Sequence, residues 1–348
     1  MKILDMHCDT IYALLERQRS GENPSLRQNT GHLDLVRMKE SGYLLQNFAL
    51  FVDSSCCEDT WDEVCALHAL YKKEMEKNAD LIAPVLEYRD IARNEALGKM
   101  SAMLTVEEGA VCQGDMSKLY QLYDMGVRMM TLTWNYPNEI GFPNLDGRAS
   151  EEMRKQCVKK PKEAQKIYEE FAYTPNIQEG LTEFGRELVG EMERLGMIVD
   201  VSHLSDKGFY DVLECTRKPF VASHSNAREK CRFVRNLTDD MLCKLAERGG
   251  VTGLNYCPDF LTEKKYQDLN LGTIQAVVWH AKYIVEVAGI EVLGLGSDFD
   301  GIAGHEELKG AQSMELLWDA MHKAGFTQGQ LDKIFYENAL RVYRDSLH

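Results

Sequence analysis

Short apolar runs alternate along the chain with longer segments in which apolar residues recur three and four positions apart. The runs fall at 44–51, 100–106, 127–134, 197–201, 219–223, 251–255 and 292–296, and the opening Met1-Lys2-Ile3-Leu4-Asp5 is strand-like too. Segments such as 181–195 and Thr273–Ala288 carry the helical period. Strand-then-helix repetition predicts a parallel sheet with helices outside it. Seven or eight such units favour closure over an open sheet. The expected fold is therefore α/β, a (β/α)8 barrel of the TIM type, with residues 1–348 forming one domain.

Two stretches depart from the rhythm. Residues 136–173 carry several prolines and many charges, and read as an irregular insertion over one end of the barrel. The Lys159-Lys160-Pro161-Lys162 run within it reads as a solvated loop rather than an anion site, because charge runs usually mean solvent. Residues 328–347 read as one or two helices that finish the domain. Asn338-Ala339-Leu340-Arg341-Val342 there suggests packing, not chemistry.

Composition narrows the function. At 348 residues and 44% hydrophobic, the chain can bury a sizeable core. Its 40 basic against 55 acidic residues leave a net charge of −15. Such a field repels phosphate backbones and anionic lipid, so neither nucleic acid nor a membrane is an expected partner. No stretch approaches the roughly 18 apolar residues of a membrane span. The N-terminus enters a strand with no signal peptide ahead of it, so the expected setting is cytoplasmic and the ten cysteines are expected to be reduced.

Candidate chemistry gathers where the apolar runs end. His7 and Asp9 are two residues apart after the first strand and so share a face. Glu107 and Glu108 follow the run at 100–106, His203 follows 197–201, His224 follows 219–223, and Asp298 follows 292–296. Barrel enzymes build their sites at this carboxyl end of the strands. The 21-residue gap between the two later histidines fits one intervening helix, Asp206–Cys215. Any one of these residues could be a capping or core group; together they describe a metal centre. Three imidazoles and two or three carboxylates exceed the needs of one catalytic zinc. They suit two ions about 3.5–4 Å apart, which activate water and polarise a carbonyl for amide hydrolysis. The remaining carboxylate, Asp298, is then the candidate to carry protons to the leaving amine.

The set Asp5-Met6-His7-Cys8-Asp9, Val106-Glu107-Glu108-Gly109, Asp200-Val201-Ser202-His203-Leu204-Ser205, Ser223-His224-Ser225-Asn226-Ala227, Arg235-Asn236 and Gly296-Ser297-Asp298-Phe299-Asp300-Gly301 resembles the membrane (renal) dipeptidase family. The resemblance runs from residue 5 to about 345 in the family's order. It implies a zinc metallo-dipeptidase of the amidohydrolase-like barrels, with two Zn2+ ions. His7, Asp9 and Glu107 would hold the first ion, and Glu107, His203 and His224 the second, with a bridging hydroxide as nucleophile. The family's Glu-Gly-Gly reads Glu107-Glu108-Gly109 here, which leaves two adjacent glutamates to choose between as the bridge. By the same resemblance Asp298 is the acid/base and Arg235 receives the substrate's α-carboxylate, with Arg228 and Arg232 as neighbours suited to salt bridges. Tyr256 falls at a substrate-contacting position. Tolerance of a C-terminal D-residue and a homodimer are further family expectations.

One departure stands out. The family's Thr-His step, whose histidine steadies the tetrahedral intermediate, reads Thr133-Trp134-Asn135 here. Tryptophan offers a single indole N–H, so the expectation is that Asn135 or the insertion contacts the substrate and stabilises the oxyanion, or that the substrate range differs. Two other readings differ in kind: an amidohydrolase-like enzyme acting on another amide, lactam or lactone, and a barrel that binds metal or ligand without catalysis.

Overall fold

The computed structural model describes residues 1–147, 171–263, 273–303 and 307–347. Most of the stretch 136–173, including the lysine run at 159–162, lies outside the described residues. Among the described residues nine parallel strands form one sheet: β1 (Ile3–Asp5), β2 (Tyr43–Phe51), β3 (Ile82–Pro84), β4 (Met100–Glu107), β5 (Val127–Thr131), β6 (Ile198–Asp200), β7 (Val221–Ala222), β8 (Val251–Leu254) and β9 (Leu293–Leu295). Eight of them follow one another as β2-β1-β9-β8-β7-β6-β5-β4, and β2 pairs back onto β4 to close the ring. That register runs from Leu45 opposite Ser101 to Phe51 opposite Glu107. The barrel expected from the strand-then-helix rhythm is what forms.

The ninth strand, β3, lies against the first residues of β4, Met100 to Ala102, before β5 takes over that edge from Leu104. The apolar pattern does not reveal it, because only Ile82 of its three residues is buried and Pro84 cannot donate to a ladder. β5 is shorter than the apolar run at 127–134. It stops at Thr131, and Leu132 to Trp134 leave the sheet towards the carboxyl end of the barrel.

Polar caps fix where several helices begin after the strand-end loops. Thr182, Ser205 and Thr238 accept the backbone N–H groups of Gly185, Gly208 and Met241, opening helices Glu183–Leu195, Asp206–Cys215 and Asp239–Glu247. Removing such a cap typically costs about 1 kcal/mol. The last of these caps follows the loop that carries Arg235.

The amino end of the barrel is filled. Ile198, Val221 and Val251, each the first residue of its strand, pack with Leu4, Met103 and Met129 against Val342 and Tyr343 of the terminal helix Asn338–Ser346. The Tyr343 hydroxyl donates to Asn47 Oδ1 at 3.0 Å. Asn338 Nδ2 donates to the carbonyls of Ile290 and Leu293, at 2.7 and 2.8 Å, tying this helix to β9. With that end plugged, the carboxyl ends of the strands are left for chemistry. Among the described residues no helix is long and apolar enough to cross a membrane.

Candidate metal centre

Five side chains converge at the carboxyl end of the barrel. His7 and Asp9 follow β1, Glu107 is the last residue of β4, His203 follows β6 and His224 follows β7. His7 Nε2 lies 3.3 Å from Glu107 Oε2 and 3.5 Å from Asp9 Oδ2. The other carboxylate oxygen, Glu107 Oε1, lies 2.9 Å from His203 Nε2 and 3.5 Å from His224 Nε2. Glu107 therefore turns Oε2 to His7 and Oε1 to both His203 and His224, as a bridge between two sites would. The two later histidines approach Nε2 to Nε2 at 3.1 Å, and the rings of His7 and His224 stack at 4.0 Å.

All five are buried, and their polar atoms are poorly served by the protein itself. Among the described residues, both ring nitrogens of His7 and Oδ1 of Asp9 have no hydrogen-bond partner. Unpaired polar atoms in the interior are costly, so a cluster of them signals something that binds there. Imidazole nitrogens and carboxylate oxygens at this spacing fit a borderline divalent cation such as zinc. The charges agree. Burial and the nearby Arg235 push His203 down to about 3, and burial beside His7 holds His224 well below its usual range, so both present neutral, ligand-ready rings. Burial disfavours charge on His7, yet Glu107 and Asp9 outweigh it and hold the ring well above the imidazole range. Burial likewise works against Glu107, but His7, His203 and His224 keep it well below a normal carboxyl. Burial and Glu107 push Asp9 up to about 6. The cluster thus calls for positive charge, which a cation supplies without a proton.

Two buried aspartates to which the sequence assigns no role brace the cluster. Asp200 accepts hydrogen bonds from the hydroxyls of Thr131 (2.6 Å), Ser202 (2.8 Å) and Ser223 (2.6 Å). Ser223 Oγ in turn lies 2.7 Å from His224 Nδ1. On the other side of the barrel, Asp5 accepts from Ser297 Oγ at 2.5 Å and Ser297 N at 2.9 Å. A signal for both was available: each ends an apolar strand just ahead of a ligand histidine, and a serine precedes His203, His224 and Asp298. Such supporting bonds fix ring orientation and metal affinity.

Four of the five candidates, Asp9, Glu107, His203 and His224, line a cavity of about 530 Å³ shared with Asp298, Arg235, Asn135 and Trp134. Asp298 has a left-handed backbone, φ 62°, and Asn255 Nδ2 donates to its Oδ2 at 3.0 Å. Its Oδ1 lies 3.9 Å from His7 Nε2. Burial, with Asp9 and Glu107 close by outweighing the pull of His7, pushes its carboxyl up to about 7.

Arg235 is 2% exposed, and its Nε and Nη2 have no partner among the described residues. Its guanidinium sits 5.5 Å from the Phe260 ring centroid, and Nη1 makes one long contact, 3.4 Å, to Ser225 Oγ. Its neighbours are otherwise engaged. Arg228 forms a forked pair with Asp206 at 2.6 and 2.7 Å, and Arg232 is an exposed partner of Glu263. Of the three arginines, only Arg235 faces the cavity with free donors.

The remaining candidates separate. Asn135 lines the cavity, but its Oδ1 lies 3.0 Å from His203 Nδ1, which makes it an orienting partner of that ring. Tyr256 is fully buried, does not line the cavity and turns its hydroxyl to Met314 Sδ at 3.8 Å. The expected substrate contact at Tyr256 is therefore corrected to a packing role, because its ring is taken up edge-on by Phe299. Between the adjacent glutamates the geometry favours Glu107. Glu108 has φ 102°, a conformation suited to glycine, and points away to Ala110 N (2.9 Å) and Asn138 Nδ2 (2.6 Å). Cys231 and Cys257 are separate thiols, Cys257 on the cavity wall and Cys231 donating to Asp259 O.

A model of the membrane dipeptidase family, peptidase family M19, matches residues 1–347. The chain belongs to the membrane dipeptidase family. As a member, it is a metal-dependent hydrolase of peptide bonds. An uncharacterised dipeptidase of Schizosaccharomyces pombe is 29% identical over 99% of this chain and 80% of its own length. A crystal structure of dipeptidase AC, a metallopeptidase, superposes with a TM-score of 0.85 at 27% identity, covering 100% of this chain and 99% of that one. A metallopeptidase from Rhodobacter sphaeroides, solved with a phosphinate mimic of the dipeptide L-Ala-D-Ala, gives 0.85 at 25% identity, covering 99% of each chain. The membrane dipeptidase fold is thus matched along its whole length.

Proposed function

We propose that the protein hydrolyses the single peptide bond of dipeptides at a pair of zinc ions, held by His7, Asp9 and Glu107 and by Glu107, His203 and His224. When bound, such ions supply an acidified water and polarise the scissile carbonyl. Arg235 binds the free α-carboxylate through its planar fork, which confines the site to short substrates. That anchor sets the peptide bond over the histidine and carboxylate cluster. Asp298 accepts a proton from the attacking water at Oδ1 and returns it to the departing amine nitrogen, while Asn255 holds Oδ2. Asn135 keeps His203 in the tautomer whose Nε2 faces Glu107. A reducing, cytoplasmic setting is part of the same reading.

The observation that carries the proposal is the buried guanidinium of Arg235, with unpaired donors in the same cavity as the cluster. It asks for an anion, and a dipeptide's carboxylate is one. The phosphinate dipeptide mimic found with the Rhodobacter sphaeroides relative supports the substrate class. The test is Arg235→Ala assayed on L-Ala-L-Ala and its C-terminal amide. Losing an interaction with a buried charge typically costs about 2–5 kcal/mol, so kcat/KM for the free acid should fall by about 30-fold to several thousand-fold. The wild-type enzyme should already spare the amide. Equal wild-type rates on acid and amide would remove Arg235 from the carboxylate role.

A further inference from the structure

The cavity wall facing Arg235 is aromatic. Phe51 is the last residue of β2, and Arg235 lies in the loop after β7; around the ring of eight, β2 and β7 are diametrically opposed. The Tyr12 ring meets Phe51 edge-on at 5.0 Å, and Phe51 meets Trp134 at 4.9 Å and 69°. Trp134 continues the wall to within 6.4 Å of the His203 ring centroid, at the edge of the metal-ligand cluster. All three aromatic side chains line the cavity.

Trp134 is held there by the other unusual residue of the site. Glu108 accepts the Trp134 backbone N–H at Oε2 (3.4 Å) and Asn138 Nδ2 at Oε1 (2.6 Å). Asn138 Nδ2 also donates to Leu132 O at 2.9 Å, so the turn that presents Trp134 is pinned at both ends. The two places where the sequence departs from its family's motifs, Glu108 and Trp134, thus meet in one device.

A dipeptide is short, with its N-terminal α-carbon roughly 5 Å from its carboxylate carbon. With that carboxylate on Arg235 and the peptide bond over the ligand cluster, the N-terminal residue is carried towards Phe51 and Trp134. We propose that Trp134, Phe51 and Tyr12 form the pocket for the substrate's N-terminal side chain, and that they select aromatic or large aliphatic residues there. The inference rests on the dipeptidase reading. Aromatic faces favour such side chains through apolar burial and edge-to-face contact. Glu108 acts as a positioning residue, fixing the turn without touching substrate.

The experiment compares kcat/KM of the zinc-loaded enzyme for L-Phe-L-Ala, L-Leu-L-Ala, L-Ala-L-Ala and L-Ala-L-Phe. The Phe-Ala to Ala-Ala ratio should be about tenfold or more, a size expected for a well-filled apolar pocket. Ala-Phe should show no such gain. Trp134→Ala should bring the ratio close to one, while Trp134→Phe, which keeps an aromatic face, should retain most of it. Glu108→Gly should lower the ratio mainly through a higher KM for Phe-Ala. A flat wild-type profile, an equal gain for Ala-Phe, or a ratio unmoved in both Trp134→Ala and Phe51→Ala would overturn the inference while leaving the dipeptidase reading intact. Hydrolysis of none of the four would overturn that reading, and the inference with it.

Discussion

Asp298 is the residue on which two roles converge. It stands close enough to His7 and Asp9 to be grouped with them as a ligand. Its hydrogen bond from Asn255, which engages Oδ2, instead fits the proposed role of proton carrier. The roles give different outcomes in Asp298→Asn. As proton carrier, Asp298 lost should cost about 10²–10⁴-fold in kcat with the full metal content retained. Loss of a bound ion together with activity, read by elemental analysis, would make it a ligand. At this scale the sequence was most legible for residues whose chemistry is uncommon in strands: His7, Asp9, Glu107, His203 and His224. It was least legible for Tyr256, whose position after a strand says nothing of which way its ring turns. Asp5 and Asp200 were passed over for the converse reason. A single acidic residue ending an apolar run looks like a strand terminus until its serine partners on other strands are brought to it.

Between elements, one histidine joins the loop that carries Arg235 to the barrel wall. His280, in helix Thr273–Ala288, accepts the Ala227 N–H at Nδ1 (3.2 Å) and donates from Nε2 to Leu261 O (2.9 Å). Those partners flank the segment that carries Arg235. Burial pushes this imidazole from 6.5 down to about 4. The folded form therefore keeps it neutral where the unfolded chain would already take up a proton. Its contribution is fully present above about pH 6.5 and is lost as the pH falls towards 4. The span corresponds to about 3 kcal/mol. Urea unfolding at pH 7 and pH 4.5 should show a larger acid loss in the wild type than in His280→Gln, which can make both hydrogen bonds without titrating. Equal losses in the two proteins would place the acid sensitivity elsewhere. Nothing in the sequence pointed to this contact, since a histidine at helical spacing reads simply as part of a buried face. Helix Thr273–Ala288 itself, with its strong apolar period, was legible to the residue.

For the whole molecule, closure of eight strands follows from the repeating period, and it explains why widely separated residues meet. Residues 7, 107, 203, 224 and 298 come from five different strand ends, brought together only because β2 returns to β4. The unequal length of the units hid part of this: β3 is an added strand too short to register, and β7 is two residues long. Position in the ring also gives the cavity its polarity, with Arg235 on one side, the aromatic wall on the other and the histidine and carboxylate cluster between them. That arrangement makes the central claim one about metal-dependent cleavage of free dipeptides, and zinc titration of metal-stripped protein tests it most directly. Hydrolysis of L-Ala-L-Ala should be absent after chelation and should return with added zinc, reaching its plateau at about two ions per chain. Undiminished hydrolysis by the stripped protein, or full zinc loading with the dipeptide left intact, would contradict the account.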